Sequence, residues 1–265
     1  MAGEAKTSEF LLSTATVMVG PMSKVMELSP ALHSIGLVKN VQVKTTPKFV
    51  DLTQGVNAQV VFSVNTELQS KITSEVFEYT GANLAYAAGL DGSAVTSPAQ
   101  TSCSLATAVS VGGASLILAT GSVALLALVT GSYVVVSDGA DKCHVGKVAS
   151  ITSDTLTLAT GYTMPTSAVY PISTSIVYAV NRTLVGATNN QALFAAKLVG
   201  ILPGSGSPIT MIFPKIRITA GMDLAFDANN NFSNMPFEFQ PYAMLPSDPY
   251  YADFGGMKPW AVLRT

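Results

Sequence analysis

Apolar and polar side chains alternate along residues 37–45 (LVKNVQVKT) and again along 58–65 (AQVVFSVN), where Val60, Phe62 and Val64 fall on one face. Strict alternation is the pattern of a half-buried strand. Residues 46–57 (TPKFVDLTQGVN) lie between these runs and contain Pro47, Gly55 and several polar side chains. That composition predicts a long exposed loop. Upstream, residues 9–19 predict an extended segment, and Pro21 and Pro30 punctuate the stretch beyond it. Downstream, Ile72, Ser74 and Val76 alternate with Thr73, Glu75 and Phe77, and helix-tolerant residues then run from Thr80 to a stop at Gly89. Thr80 suits an N-cap and Gly89 a left-handed C-terminus, so the segment predicts a strand followed by a short helix. A single longer helix from Ser74 is the alternative.

The middle of the chain carries an internal repeat. Residues 108–121 (AVSVGGASLILATG) and 148–161 (VASITSDTLTLATG), offset by 40, match at Ser110/Ser150, Leu116/Leu156, Leu118/Leu158 and the shared Ala-Thr-Gly. Each copy predicts a hairpin turning at Gly112-Gly113 or Ser153-Asp154. Two more short strands, 133–137 and 144–148, flank Asp138-Gly139. About six short strands in such a span predict a small β-barrel or sandwich. The last third returns to long strands at 191–201 and 209–219, separated by the turn Pro203-Gly204-Ser205-Gly206-Ser207-Pro208. Residues 227–231 predict a loop. Residues 232–245 predict a strand that Pro236 and Pro241 relegate to an edge or a bulge. The tail beyond Pro246 is rich in Pro, Gly and aromatics and predicts an arm with little regular structure of its own that packs on something.

The resulting organisation is a core, first part, over 1–90, an inserted small β-domain over 91–175, and a second part of the core with a C-terminal arm over 176–265. The fold class is all-β in the main, a β-sandwich or barrel with one short α-helix and an inserted barrel-like domain.

Charge sharpens this picture. The 265 residues include 14 Lys or Arg and 16 Asp or Glu, only 11% charged, for a net charge of −2. Residues 92–137 contain no Asp, Glu, Lys or Arg at all. A lone globule blunts its surface and sheet edges with charge, so such a chain lies in a membrane or is covered by partners. The membrane reading falls on residues 114–136, long enough to span. That stretch is broken by two Thr-Gly-Ser clusters and lacks flanking Lys or Arg. The N-terminus, with Glu4 and Glu9 against Lys6, makes a poor secretion signal, and an intracellular product is expected.

Candidate chemistry is sparse. Cys103 and Cys143 make no disulfide framework, and Cys143-His144 is the only Cys/His neighbour pair. No nucleophile elbow, phosphate loop or dinucleotide fingerprint is present. The expectation is no enzyme, no cofactor and no metal. Scattered cations argue against a basic nucleic-acid groove.

The outer segments resemble the tail-tube (major tail) protein of long-tailed bacteriophages. The resemblance is carried, in order, by His33-Ser34-Ile35-Gly36-Leu37-Val38-Lys39-Asn40-Val41, Phe49-Val50-Asp51-Leu52-Thr53-Gln54-Gly55 and Val76-Phe77-Glu78-Tyr79-Thr80-Gly81-Ala82-Asn83-Leu84. Beyond the insert it continues in Met211-Ile212-Phe213-Pro214-Lys215 and Met235-Pro236-Phe237-Glu238-Phe239. The middle region is similar to the extra β-domains some tube proteins carry outside the tube. The resemblance implies six-subunit rings that stack into a hollow conduit for viral DNA, which transits without specific binding. It implies a virion location after assembly in the bacterial host cytoplasm. The implied partners are sister copies, a tape-measure protein, tail-tip or baseplate proteins, and a sheath if the tail is contractile. A charge of −2 per chain, −12 for a ring of six, suits a lumen that must not trap phosphates.

Candidate ring-to-ring contacts are Pro47, Phe49, Asp51, Leu52 and Gln54 in the loop. Candidate contacts of the C-terminal arm are Tyr250, Tyr251, Phe254 and Trp260. The competing expectations are a tail-terminator or baseplate ring protein, and a host-surface or carbohydrate-binding virion protein acting through the insert. Against the latter, residues 92–175 hold only Tyr133, Tyr162 and Tyr170 as aromatic platforms.

Overall fold

The computed structural model describes residues 15–54, 58–92, 95, 100–139, 142–184, 192–219 and 234–264. The protein is mainly β, with antiparallel sheets in a sandwich/barrel architecture. The strands are β1 (Thr16–Pro21), β2 (Val38–Gln54), β3 (Gln59–Val76), β4 (Ser102–Ser104), β5 (Ser115–Ile117), β6 (Tyr133–Asp138), β7 (Lys142–Thr152), β8 (Thr155–Leu158), β9 (Ser175–Val180), β10 (Phe194–Ile201), β11 (Pro208–Ile218), β12 (Met235–Pro241) and β13 (Ala261–Arg264). Among the described residues they are joined by the short α-helices α1 (Pro30–His33), α2 (Gly81–Ala87) and α3 (Ser122–Leu125), and by a 3-10 helix over Met22–Glu27. The chain divides into two compact units, Met1–Ala94 with Leu184–Thr265, and Val95–Thr183.

In the large unit the sheet order is β1-β10-β11-β12-β3-β2, with β13 added beside β11. Its core gathers Val17, Ile35, Ile72, Val76, Phe194, Phe213, Ile216, Phe237 and Phe239, with Tyr86 from α2 meeting Phe194 edge-on at 5.1 Å. The strand-then-helix expectation holds at 72–89. The Thr80 hydroxyl oxygen accepts from the Asn83 N–H at 3.1 Å, and Gly89 turns left-handed at φ +74°. The amides of Gly89 and Leu90 close back on the carbonyls of Tyr86 and Ala85, the paired bonds of a glycine-terminated helix. Burial pushes the Tyr86 phenol up to about 12, with Asp91 adding to the shift.

Four expectations need correction here. First, residues 46–54 are strand rather than loop. Cross-strand pairs run from Lys44–Lys71 to Gln54–Gln59, with bulges at Thr66 and Val61, and Pro47 is tolerated because β2 ends the sheet order, leaving an edge without a partner among the described residues. Second, β12 lies between β11 and β3, not at an edge. Each of its two prolines lies within one ladder and beyond the end of the other. Described pairing with β11 covers only Phe239 to Pro241, and pairing with β3 only Met235 to Phe239. The Glu238 carbonyl accepts from Thr219 on the β11 side, so Pro236, two residues away, also directs its missing donor toward β11, outside that ladder. Third, the tail is not irregular throughout. β13 pairs with β11 over Ile209–Ile212, the part of that flank which β12 leaves open. Fourth, β9 belongs to the small unit rather than to the second part of the core, because it pairs with β4 and β6. Its alternation reads identically in either sheet, and only pairing decides. The loop expected at 227–231 lies outside the described residues.

The small unit has the order β4-β9-β6-β7-β8-β5. Leu105 and Leu118 bridge the two ends of that order, with Ala106 donating to Ile117 at 2.7 Å and Ala119 to Ser104 at 3.1 Å. The six strands thereby close into a small barrel around Leu116, Leu118, Val134, Val136, Val148, Leu156 and Val177. The repeat is present, but only its second copy is a hairpin (β7–β8). The second strands of the two copies pair with each other instead, with Leu116 opposite Leu156. The amide of Leu118 bonds the carbonyl of Asp154, and that of Leu158 the carbonyl of Ala114. These are equivalent positions under the 40-residue offset, so the copies are related by a local two-fold axis through the Leu116–Leu156 pair. The charge-free run supplies buried core to its own barrel, through Leu105, Leu116, Leu118, Leu126, Val134 and Val136, while Val111, Leu125 and Val129 stay exposed.

Candidate functional site

The large unit gathers a run of exposed apolar side chains along the outer length of β2 and β3. β12 pairs with β3 only from Ile72 to Val76, so from Lys44 to Gln54 and back to Lys71 the chain is a two-stranded ribbon, roughly 35 Å long at a strand's rise. Cross-strand partners share a face. Val50 opposes Val64 and Leu52 opposes Phe62, which assembles four apolar side chains on one face. Phe49 lies on the opposite face, opposed to Asn65, near Asp51, whose carboxylate accepts from the Ser63 hydroxyl. A bulge at Val61 sets Val60 opposite Thr53, so Val60 leaves the face of Phe62 and Val64 that simple alternation assigns to it. Both faces remain open to water: Phe49 is 56%, Leu52 61% and Phe62 63% exposed.

Polar pairs hold the ribbon in register without hiding it. Lys48 bridges Glu67 at 2.7 Å, and this hydrogen bond, with a second from Gln69, draws the Glu67 carboxyl below its ordinary range. At the ribbon's base Lys71 bridges Glu238 at 2.6 Å, which lowers the Glu238 carboxyl in the same way. All five loop residues singled out in the sequence (Pro47, Phe49, Asp51, Leu52 and Gln54) lie on this ribbon, distributed over its two faces rather than gathered at a point. The β3 half, with Val50 of β2, is what sequence reasoning missed. Val60, Phe62 and Val64 alternate like a core strand, and nothing local distinguishes a face that meets core from one that meets solvent.

The second set of candidate residues lies elsewhere and is engaged within its own unit. Trp260 stacks on Phe213 at 5.4 Å and donates its indole N–H to the Ser70 hydroxyl at 3.1 Å. Phe254 is buried in a cluster with Met18, Val25 and Met244, and Tyr251 packs against it. The Tyr250 hydroxyl donates to the Ser23 carbonyl. Lys215, buried, bridges Asp248 at 2.7 Å. Burial opposes ionisation of Asp248, but the Leu245 amide and Lys215 outweigh it and hold the carboxyl below its usual value. The tail is therefore an arm packed as a latch on the sheet of its own unit.

The curled sheet also leaves an open cavity of about 510 Å³ between Val38, Val41 and Val43 of β2 and Leu198, Gly200 and Met211 of β10 and β11. Its lining is mostly apolar and presents no catalytic grouping. Among the described residues no three His, Cys, Asp or Glu side chains converge as metal ligands, and no helix is long and apolar enough to cross a membrane. Cys103 is buried and Cys143 exposed, both as free thiols, and a ring nitrogen of His144 meets the Tyr162 carbonyl at 3.0 Å. No protein-family model matches the chain, and no curated protein is significantly similar to it.

Proposed function

We propose that this protein is the structural subunit of a bacteriophage tail tube, forming six-membered rings that stack into a conduit for the genome. The observation that carries this reading is the ribbon of β2 and β3, apolar on both faces and open to water in a single chain. An isolated two-stranded ribbon is marginal in water. A neighbouring copy laid over it would bury side chains such as Phe49, Leu52 and Phe62, each worth about 1.5–3 kcal/mol when fully covered. The free edge of β2 adds a row of backbone groups that a neighbour's strand can pair. A heterologous contact that closes a ring and repeats along an axis generates a tube. Sister copies, a tape-measure protein and tail-tip components are the partners this role requires, and the net charge of −2 suits a wall along which DNA slides.

Negative-stain microscopy of the concentrated protein tests the reading. Rods with a central channel are expected. Single rings that never elongate would reassign the chain to a tail-terminator or baseplate ring, and a persistent monomer would overturn the assembly role altogether.

A further inference from the structure

The outer wall of the barrel unit carries a second surface, independent of the ribbon and of the tube reading. On β6, Tyr133 stands between Lys147 of β7 and Val180 of β9, and Val135 stands between Val145 and Tyr178. Val134 and Val136 point inward and are fully buried, so the residues alternating with them face out. Tyr162 meets Tyr133 edge-on at 6.1 Å. The Arg182 guanidinium lies 4.8 Å from the centre of the Tyr133 ring and donates from Nη1 to the Tyr133 hydroxyl at 2.7 Å. Lys147 Nζ lies 5.9 Å from the same ring. Three tyrosines and two cations thus share one outer face.

The charges of this unit are segregated. Asp138 pairs with Lys142 at 3.3 Å, and the Asp154 carboxylate accepts from the amides of Gly121 and Val123 at the start of α3. Among the described residues neither Lys147 nor Arg182 forms an ion pair. The aromatic count over residues 92–175, which weighs against sugar binding, omits Tyr178 and Arg182, although the barrel includes both. It also includes Tyr170, which is buried.

We propose that this face binds a carboxylated polysaccharide, with sugar rings resting on Tyr162 and Tyr178 and a carboxylate held between Lys147 and Arg182. Tyrosine offers an apolar face and a hydroxyl in one rigid side chain, matching the C–H faces and hydroxyls of a sugar. Arg182 keeps donors beyond the one used on Tyr133 and can meet a carboxylate as a fork. Two cations suit one carboxylate. A nucleic acid, with a phosphate at every nucleotide, needs a track of cations along the strand, and this face has none.

The test is calorimetric titration of the full chain with oligogalacturonate and with polysialic acid, the two sources of sugar carboxylate. Neutral dextran and oligo(dT) serve as comparisons. At least one acidic glycan is expected to bind, more weakly as salt rises. Arg182→Gln and Tyr178→Ala should each weaken it on the order of tenfold, the effect of one lost charge-assisted or stacking contact. Phe62→Ser, on the ribbon, should leave it unchanged. Arg182 is exposed, so R182Q reports on binding even if the Tyr178 variant perturbs the barrel, and circular dichroism checks both. No binding of either acidic glycan, equal binding of dextran, tighter binding of oligo(dT), or insensitivity to R182Q would each overturn the proposal.

Discussion

The ribbon of β2 and β3 and the barrel of β4–β9 are both built from Val-, Leu- and Thr-rich strands, yet they meet water in opposite ways. The barrel has three formal cations and three acids over residues 95–183, and a long stretch with no charge at all. It buries the inward-facing side of its strands by closing Leu105 against Leu118, which joins the two ends of the sheet, and leaves only its outer wall, with residues such as Val129 and Val145, to water. The ribbon carries Lys44, Lys48, Asp51, Glu67 and Lys71 and still leaves Phe49, Leu52 and Phe62 open. Density of charge along the chain is therefore a poor guide to which surface needs a partner. Closure decides it: a curved sheet that meets itself shields its apolar side, whereas two strands alone have no inside.

The largest expected effect comes from breaking the ribbon without touching the rest. The double variant F49S/F62S should abolish rods in electron micrographs while shifting unfolding free energy by less than about 0.5 kcal/mol, since both side chains are exposed. A parallel loss of stability would show that the ribbon belongs to the core after all, and the contrast with the barrel would fail.

The opposite experiment acts on the barrel. Leu116 and Leu156 are fully buried at the two-fold pair, so Leu116→Ala should cost about 2–5 kcal/mol in denaturant titration. Rod formation should survive at temperatures where the barrel remains folded. If rods vanish first, the barrel takes part in assembly and the two regions are not separable.

A smaller effect is expected where the tail latches the sheet. Asp248→Asn leaves the buried Lys215 ammonium without its carboxylate and should cost about 2 kcal/mol at neutral pH. In the unmutated protein the Asp248 carboxyl lies below its ordinary value of 3.8. The unfolded chain therefore takes up the proton first, and the pair's contribution is complete above about pH 4 and lost as pH falls through the lower folded value. D248N should flatten that acid limb of the stability curve; an unchanged limb would remove Asp248 from the account. Smallest of all, Thr80→Ala removes the cap of α2 and should cost about 1 kcal/mol, with no change in rods or glycan binding.

Much of the local structure was legible in the chain. The cap at Thr80, the stop at Gly89, the turn at 203–208 and the hairpin at Ser153-Asp154 all rest on contacts between near neighbours, which short sequence patterns encode directly. The first repeat copy misled because Gly112-Gly113 does form a turn, with Gly113 bonding Ser110, yet the strands beside it find partners far away. Residues 46–54 misled in the other direction. Pro47 and polar side chains discourage a buried central strand, but not an edge strand whose partner, β3, is continuous.

Of the candidate contact residues, the five in the ribbon were found through a resemblance and through their poor periodicity, and they do lie on exposed surface. The aromatic tail residues were singled out for the right property, apolar area in an irregular segment, but that area is used within the unit. Trp260 on Phe213 and Phe254 among Met18, Val25 and Met244 are contacts between segments far apart in the chain, which no local pattern anticipates.

By itself the sequence determined the all-β character, the existence of a repeat and the places where the chain must turn, because alternation, glycine and proline act over a few residues. The tertiary structure alone decided which strands close into a barrel, which pair of prolines a central strand can hold, and which apolar face is left to water. Those outcomes depend on partners distant in the chain, and the same alternating strand is core or open surface according to what is laid against it.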